Sequence, residues 1–114
     1  MRSGSHIKVW RGCYYHHGIY VGGNQVVHYK SYGVVMTDLE DFCRGSSPEI
    51  VHHPNQDYDL TVQRAYERLG ENLYSLTLNN CEAFANWCVT GRSFSRQIEA
   101  GTDFLCRTFF AEFW

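Results

Sequence analysis

The chain has 114 residues, 44% of them hydrophobic and 16% aromatic, a length that fits one domain with its own core rather than two. Ten basic residues, eight of them Arg, stand against twelve acidic ones, for a formal charge of −2. That balance excludes a basic field for nucleic acid and a polybasic membrane anchor, and two prolines with a charged fraction of 19% exclude a disordered chain.

In chain order, Met1 to His6 carries no apolar core of a secretory signal, and Gly4-Ser5-His6 is also compatible with a tag remnant. Residues 6–10 alternate with the period of a half-buried strand, which Gly12 breaks. Tyr14 to Val21 is a second strand, rich in Tyr and β-branched residues. It ends in Gly22-Gly23-Asn24, a hairpin turn signal, and Gln25 to Tyr29 returns as the third strand. Gly33 to Thr37 is a short strand, and Asp38 to Phe42 a single capped turn ending near Gly45. Glu49 to His52, bounded by Pro48 and Pro54, is a further strand.

From Leu60 the period becomes helical, with Val62, Ala65, Tyr66 and Leu69 on one stripe, Asp59 or Thr61 as cap and Gly70 at the end. Tyr74 to Leu78 is extended and leads to Asn79-Asn80. Cys81, Phe84, Ala85 and Cys88 then mark a second amphipathic helix that stops at Gly91, with Asn80 as its N-cap. Ser95 to Trp114 is predicted helical, with an aromatic face of Phe104, Leu105, Phe109, Phe110, Phe113 and Trp114. Strands first and helices after predict an α+β fold, an antiparallel β-sheet packed against helices.

Five cysteines are an odd number, and no pair has C-x-x-C spacing. No stretch reaches the ~18 apolar residues of a membrane span, so the simplest compartment is a reducing cytoplasm with the thiols free. Cys81 stands out among them. A thiol in the first turn of a helix meets the positive end of the dipole and unpaired amides, which lowers its pKa toward neutral. A nucleophilic thiol also needs a base. Across a turn centred on Gly22-Gly23, opposed positions sum to about 45, and His16 and His28 sum to 44, which brings the two imidazoles within cross-strand reach. His17 points to the other face and is the poorer candidate. His6 lies near the terminus, and at most one of His52 and His53 shares a site. A zinc set of His16, His28 and Cys81 is chemically allowed and weaker than the nucleophile reading.

The blocks His16-His17-Gly18-Ile19-Tyr20-Val21-Gly22, Val26-Val27-His28-Tyr29 and Asn80-Cys81-Glu82-Ala83-Phe84 resemble those of the lecithin:retinol acyltransferase (LRAT)-like family. The shared features are a His-x-x-Ile-Tyr-x-Gly block, a second His twelve residues on and a distal Asn-Cys-Glu block. The likeness runs from about residue 4 to 97 of a single domain of residues 1–114, leaving 98–114 as a C-terminal aromatic segment. It implies a circularly permuted papain-like (NlpC-type) fold, Cys81 as nucleophile, His16 as general base and His28 orienting that base. Neither cofactor nor metal is implied. Where the family often has His, this chain has Ala83, expected to alter packing or polarity and leave the nucleophile intact.

The leading expectation is acyl transfer or phospholipase A activity on a lipid ester through a Cys81 thioester. Two alternatives stay open: a peptidase or amidase of the same permuted papain-like class, and a non-enzymatic interaction module. A long apolar groove beside Cys81 favours acyl chains, and an open cleft with paired backbone donors favours peptides. The aromatic segment, through Phe104, Leu105, Phe109, Phe113 and Trp114, is expected to pack internally, to form a homodimer contact or to dock peripherally on a membrane.

Overall fold

In a computed structural model of the chain, the described residues are 1–30, 33–71 and 80–92. Five strands form one antiparallel sheet: β1 (Ser5–Trp10), β2 (Tyr15–Gly22), β3 (Gln25–Lys30), β4 (Gly33–Asp38) and β5 (Glu49–Val51), in the order β4-β3-β2-β1-β5. Three helices accompany it: α1 (Leu39–Cys43), α2 (Tyr58–Glu67) and α3 (Asn80–Thr90). The predicted α+β class is the observed one. Predicted pieces at Tyr74 to Leu78 and Ser95 to Trp114 lie outside the described residues.

The β2–β3 turn is built on Gly23 and Asn24, with φ of +60° and +63°. Positive φ at both central residues twists the hairpin in the sense that the flanking strands require. A register shift between Tyr20 and Gly22 sets Gly18 opposite His28, so His16 is diagonal to His28 rather than directly across from it. The expected pairing was off by one position because the turn is centred on Gly23 and Asn24 rather than on Gly22 and Gly23, and the irregularity takes back half of that displacement.

Alternation along the strands sorts the apolar side chains onto two faces. On one, Ile19, Val27, Tyr29 and Val34 pack against Ala65 of α2 and Cys81, Phe84, Ala85 and Cys88 of α3. On the other, Ile7, Val9 and Val26 pack against Phe42 and Cys43 of α1. The four positions of the predicted α3 stripe are thus all buried.

α2 departs from its predicted form. It starts at Tyr58, because the Asp57 side chain accepts a hydrogen bond from the Leu60 N–H and caps it there. Its buried positions are Thr61 and Ala65, while Tyr66 and Leu69 of the predicted stripe are exposed. Thr61 donates its hydroxyl proton to the Asp57 carbonyl, so a polar side chain takes an inward place that hydropathy assigns to Val62. Asn80 is the first residue of α3 rather than its cap. Cys43, Cys81 and Cys88 are buried thiols that form no disulfide. Cys13, partly exposed in the β1–β2 connection, is disulfide-bonded, contrary to the expectation of free thiols throughout.

Candidate active site

His16 and His28 point to the α1 face, and there the structure joins them. His16 Nε2 lies 2.8 Å from His28 Nδ1, and His28 Nε2 lies 2.9 Å from Thr37 Oγ1 on β4. Both imidazoles rest on the Phe42 ring, with centroids 5.2 Å away in each case. The space comes from Gly18. A Cβ on Gly18 would stand 2.7 Å from Val26 Cγ1, 2.8 Å from Phe42 Cε1 and 3.2 Å from His28 Cβ.

One assignment of protons satisfies the whole chain. The Thr37 hydroxyl donates to the Asp38 carbonyl, leaving its oxygen to accept from His28 Nε2–H. His28 Nδ1 is then an acceptor and takes the proton of His16 Nε2. His16 Nδ1 is left as the basic lone pair, buried and without a hydrogen-bond partner among the described residues. Burial, reinforced by His28 and Arg11, holds His16 well below its ordinary pKa, and burial holds His28 at about 3, so both are neutral.

Cys81 approaches from the opposite face of the sheet. The β2–β3 ladder ends at Gly18 and His28, so β2 residues before Gly18 have an unladdered edge on that side. There the Cys81 thiol donates to the Tyr15 carbonyl at 3.8 Å and accepts from the His17 N–H. The sulfur is therefore held against the main chain on both sides of His16. The expectation of a lowered thiol pKa is overturned. Full burial pushes Cys81 up to about 12, and the amides of His17 and Glu82, which do favour the thiolate, offset only part of that desolvation.

A second set of imidazoles occupies the α3 face. His53 Nε2 is 2.9 Å from His6 Nδ1, His6 Nε2 is 2.7 Å from His17 Nδ1, and His17 Nε2 is 3.8 Å from Glu82 Oε2. Parity along β2 correctly separated His17 from His16. What parity alone did not reveal is that α3 covers His17's side. His6, taken as a bland terminal residue, is buried at the centre of this chain, while His52 stays exposed.

Beside the first histidine chain a cavity of about 520 Å³ opens between the β1–β2 connection and the segment after α1, lined by Trp10, Arg11, Tyr14, Arg44 and Ser46 among others. The Tyr14 hydroxyl and the Nε and Nη1 of Arg11 are buried there with no hydrogen-bond partner among the described residues. Burial raises the pKa of the Tyr14 hydroxyl and keeps the phenol protonated, and burial with the like charge of Arg44 lowers the Arg11 pKa from its ordinary value. Among the described residues no three His, Cys, Asp or Glu side chains are disposed to hold a metal ion. His16 and His28 spend their facing nitrogens on each other.

The lecithin retinol acyltransferase family matches residues 1–94, which takes in the hairpin histidines, Cys81 and the elements that hold them. The chain belongs to that family. The lecithin retinol acyltransferase of Rattus norvegicus is 26% identical over an alignment of 133 residues that covers 84% of this chain. The same alignment covers 57% of the rat protein, so the chain spans little more than half the length of that relative.

Within this lecithin retinol acyltransferase family member, four participants were missed in the sequence. Thr37 was read only as a strand residue, although a hydroxyl that faces the next strand is the signal of a histidine anchor. Gly18 sits inside a strand, and a glycine there marks a close approach. Arg11 and Tyr14 flank Gly12, and only the fold brings them together with Arg44 around one cavity.

Proposed function

We propose that this chain is a thiol-dependent acyltransferase or phospholipase A-type hydrolase acting on lipid esters, with Cys81 as nucleophile, His16 as base and His28 as the residue that orients it. The observation that carries this reading is the hydrogen-bond chain from Thr37 through His28 to His16, which leaves one basic nitrogen, His16 Nδ1, unclaimed among the described residues while Cys81 is held against the main chain flanking His16. Family membership supports acyl transfer as the reaction type, and a helix-borne cysteine packed on a histidine-bearing sheet is what a permuted papain-like fold requires.

The neutral thiol and neutral imidazole define the first step. Attack of Cys81 Sγ on the ester carbonyl transfers the thiol proton to His16 Nδ1 as the S–C bond forms, and the carbonyl oxygen becomes an oxyanion. The imidazolium is steadied by His28, whose own proton is engaged by Thr37. Main-chain N–H groups at the start of α3, that of Cys81 among them, are the donors for the oxyanion. Collapse breaks the C–O bond, the departing alkoxide takes the proton from His16, and the acyl group remains as a thioester. Water, an alcohol or an amine then gives its proton to His16 and attacks the thioester, which releases the acyl product and restores the thiol.

The cavity is lined by Arg11 and Arg44 together with Trp10, Tyr14 and Cys43, so it is not the wholly apolar groove anticipated for acyl chains. Release of fatty acid from a phospholipid dispersion tests the proposal. Cys81→Ser is expected to abolish it with the fold intact, and full turnover by that variant would overturn the scheme.

A further inference from the structure

Three histidines that the proposed chemistry does not use lie in a line across the sheet. His17 on β2 stands opposite Lys8, and His6 on β1, two residues before Lys8, is therefore its diagonal neighbour. His6 in turn stands opposite Val51 of β5, and His53 follows two residues later, so strand pairing sets the three rings side by side on the α3 face. His53 Nε2 meets His6 Nδ1 at 2.9 Å, and His6 Nε2 meets His17 Nδ1 at 2.7 Å. His17 Nε2 faces Glu82 Oε2 at 3.8 Å, beyond a hydrogen bond and within electrostatic reach. His6 and His17 are sealed from solvent, whereas His53 is half-buried.

A carboxylate only accepts, so the ring nitrogen that faces Glu82 carries a proton. His17 Nδ1 is then an acceptor and takes the proton of His6 Nε2, and His6 Nδ1 takes that of His53 Nε2. All three rings are thereby the Nε2–H tautomer, and all three N–H bonds run toward Glu82. Burial first, with neighbouring imidazoles and Lys8 acting the same way, holds His6 and His17 neutral; Glu82 opposes this at His17, which still titrates at about 4.

The line ends beside the nucleophile. Glu82 directly follows Cys81 in the first turn of α3, and the main-chain N–H of His17 donates to Cys81 Sγ. The sulfur thus belongs to a loop that runs from Sγ to the His17 N–H, through the His17 ring to Glu82, and back along one peptide bond to Cys81. We infer that His17 and Glu82 are positioning residues for Cys81, with His6 and His53 fixing the tautomer and tilt of the His17 ring, so that the first turn of α3 meets β2 in the register that holds the thiol for attack. The inference rests on the thioester reading above and extends the machinery to a second histidine line, whose role is to place the sulfur and not to move its proton. An apolar filling of the same space would let α3 slide along β2, whereas a line of hydrogen bonds is satisfied in one arrangement.

Single-turnover acylation of Cys81 by a short-chain phospholipid, followed by intact-protein mass spectrometry, gives a limiting rate and a half-saturating concentration for each variant. Glu82→Gln is expected to lower the limiting rate about tenfold, and the half-buried His53→Ala by less, with the half-saturating concentration unchanged because the sulfur and not the donor is displaced. Both act through one line, so the double variant should be no slower than Glu82→Gln alone; losses that simply multiply overturn the coupling. His17→Gln, whose amide keeps a donor where Nε2–H stood, should retain more of the limiting rate than His17→Leu. Equal losses in those two show that volume alone matters and overturn the inference. Hydrogen exchange at the His17 amide needs no substrate, and it should quicken about tenfold in Glu82→Gln, and less in His53→Ala, relative to the buried amides of β3. If wild-type Cys81 is not acylated, the thioester reading fails, and exchange still decides the placement: an unchanged His17 amide in both variants overturns it. Faster exchange with unchanged limiting rates overturns the link to catalysis.

Discussion

At the scale of single residues, the balance at Cys81 decides how the site must work. Its place in the first turn of α3 was legible from the spacing of Cys81, Phe84, Ala85 and Cys88, but the sign of its pKa shift was not. A helix start argues for a thiolate, and that argument ignores the desolvation that comes from being fully buried between α3 and β2. With the thiol at about 12 and His16 well below 6.5, the resting pair is uncharged, and proton transfer has to accompany attack. Peptide-resolved alkylation by iodoacetamide should therefore show Cys81 labelling that rises about tenfold per pH unit from pH 7 to beyond pH 9. A plateau at neutral pH would show a preformed thiolate and contradict this balance.

At the scale of elements, the hairpin was the most readable part of the chain. The Gly22-Gly23-Asn24 turn and the two histidines twelve apart are enough to bring His16 and His28 together. The true register needed the irregularity between Tyr20 and Gly22, which no local pattern announces. The consequence is physical: with Gly18 opposite His28, the absence of a side chain at position 18 makes room for Phe42 under both imidazoles. Gly18→Ala forces a methyl to within 2.8 Å of Phe42 Cε1 and 2.7 Å of Val26 Cγ1. It is expected to destabilise the fold by about 1–3 kcal/mol, the usual range for overpacking, and to lower turnover by displacing His28. Urea titration and kinetics on the variant check both effects; unchanged stability would show that the sheet relaxes freely there. The α2 stripe failed for a related reason, since Thr61 meets its hydrogen-bonding need through Asp57 and so can be buried where Val62 was expected.

For the molecule as a whole, four imidazoles are buried and neutral, His16 and His28 on one face of the sheet and His6 and His17 on the other. Burial is the largest cause of each shift, so each folded pKa is below the unfolded value near 6.5. Below about pH 6.5 the unfolded chain binds protons that the folded chain refuses, and stability falls as pH drops toward the folded values, about 4 for His17 and about 3 for His28. By pH 5 the His28 imidazole alone costs about 2 kcal/mol, and the other three act in the same direction. The urea midpoint is expected to be markedly lower at pH 5 than at pH 7.5, and an equal or higher midpoint would contradict the buried neutral state.

The family and the His16–His28 pair were readable from motif spacing and the fold class from the order of strands and helices, because these depend on local pattern. The second chain, the anchor at Thr37 and the arginine-lined cavity were not, because they depend on which helix covers which face. The measurement that bears most directly on the proposed chemistry is the mass of the intact protein after brief exposure to a phospholipid, with the site located by peptide mapping. The account predicts one acyl increment on Cys81, much reduced in His16→Ala and absent in Cys81→Ala. An unmodified Cys81 in folded protein that still releases fatty acid, or an increment that persists in Cys81→Ala, would contradict it.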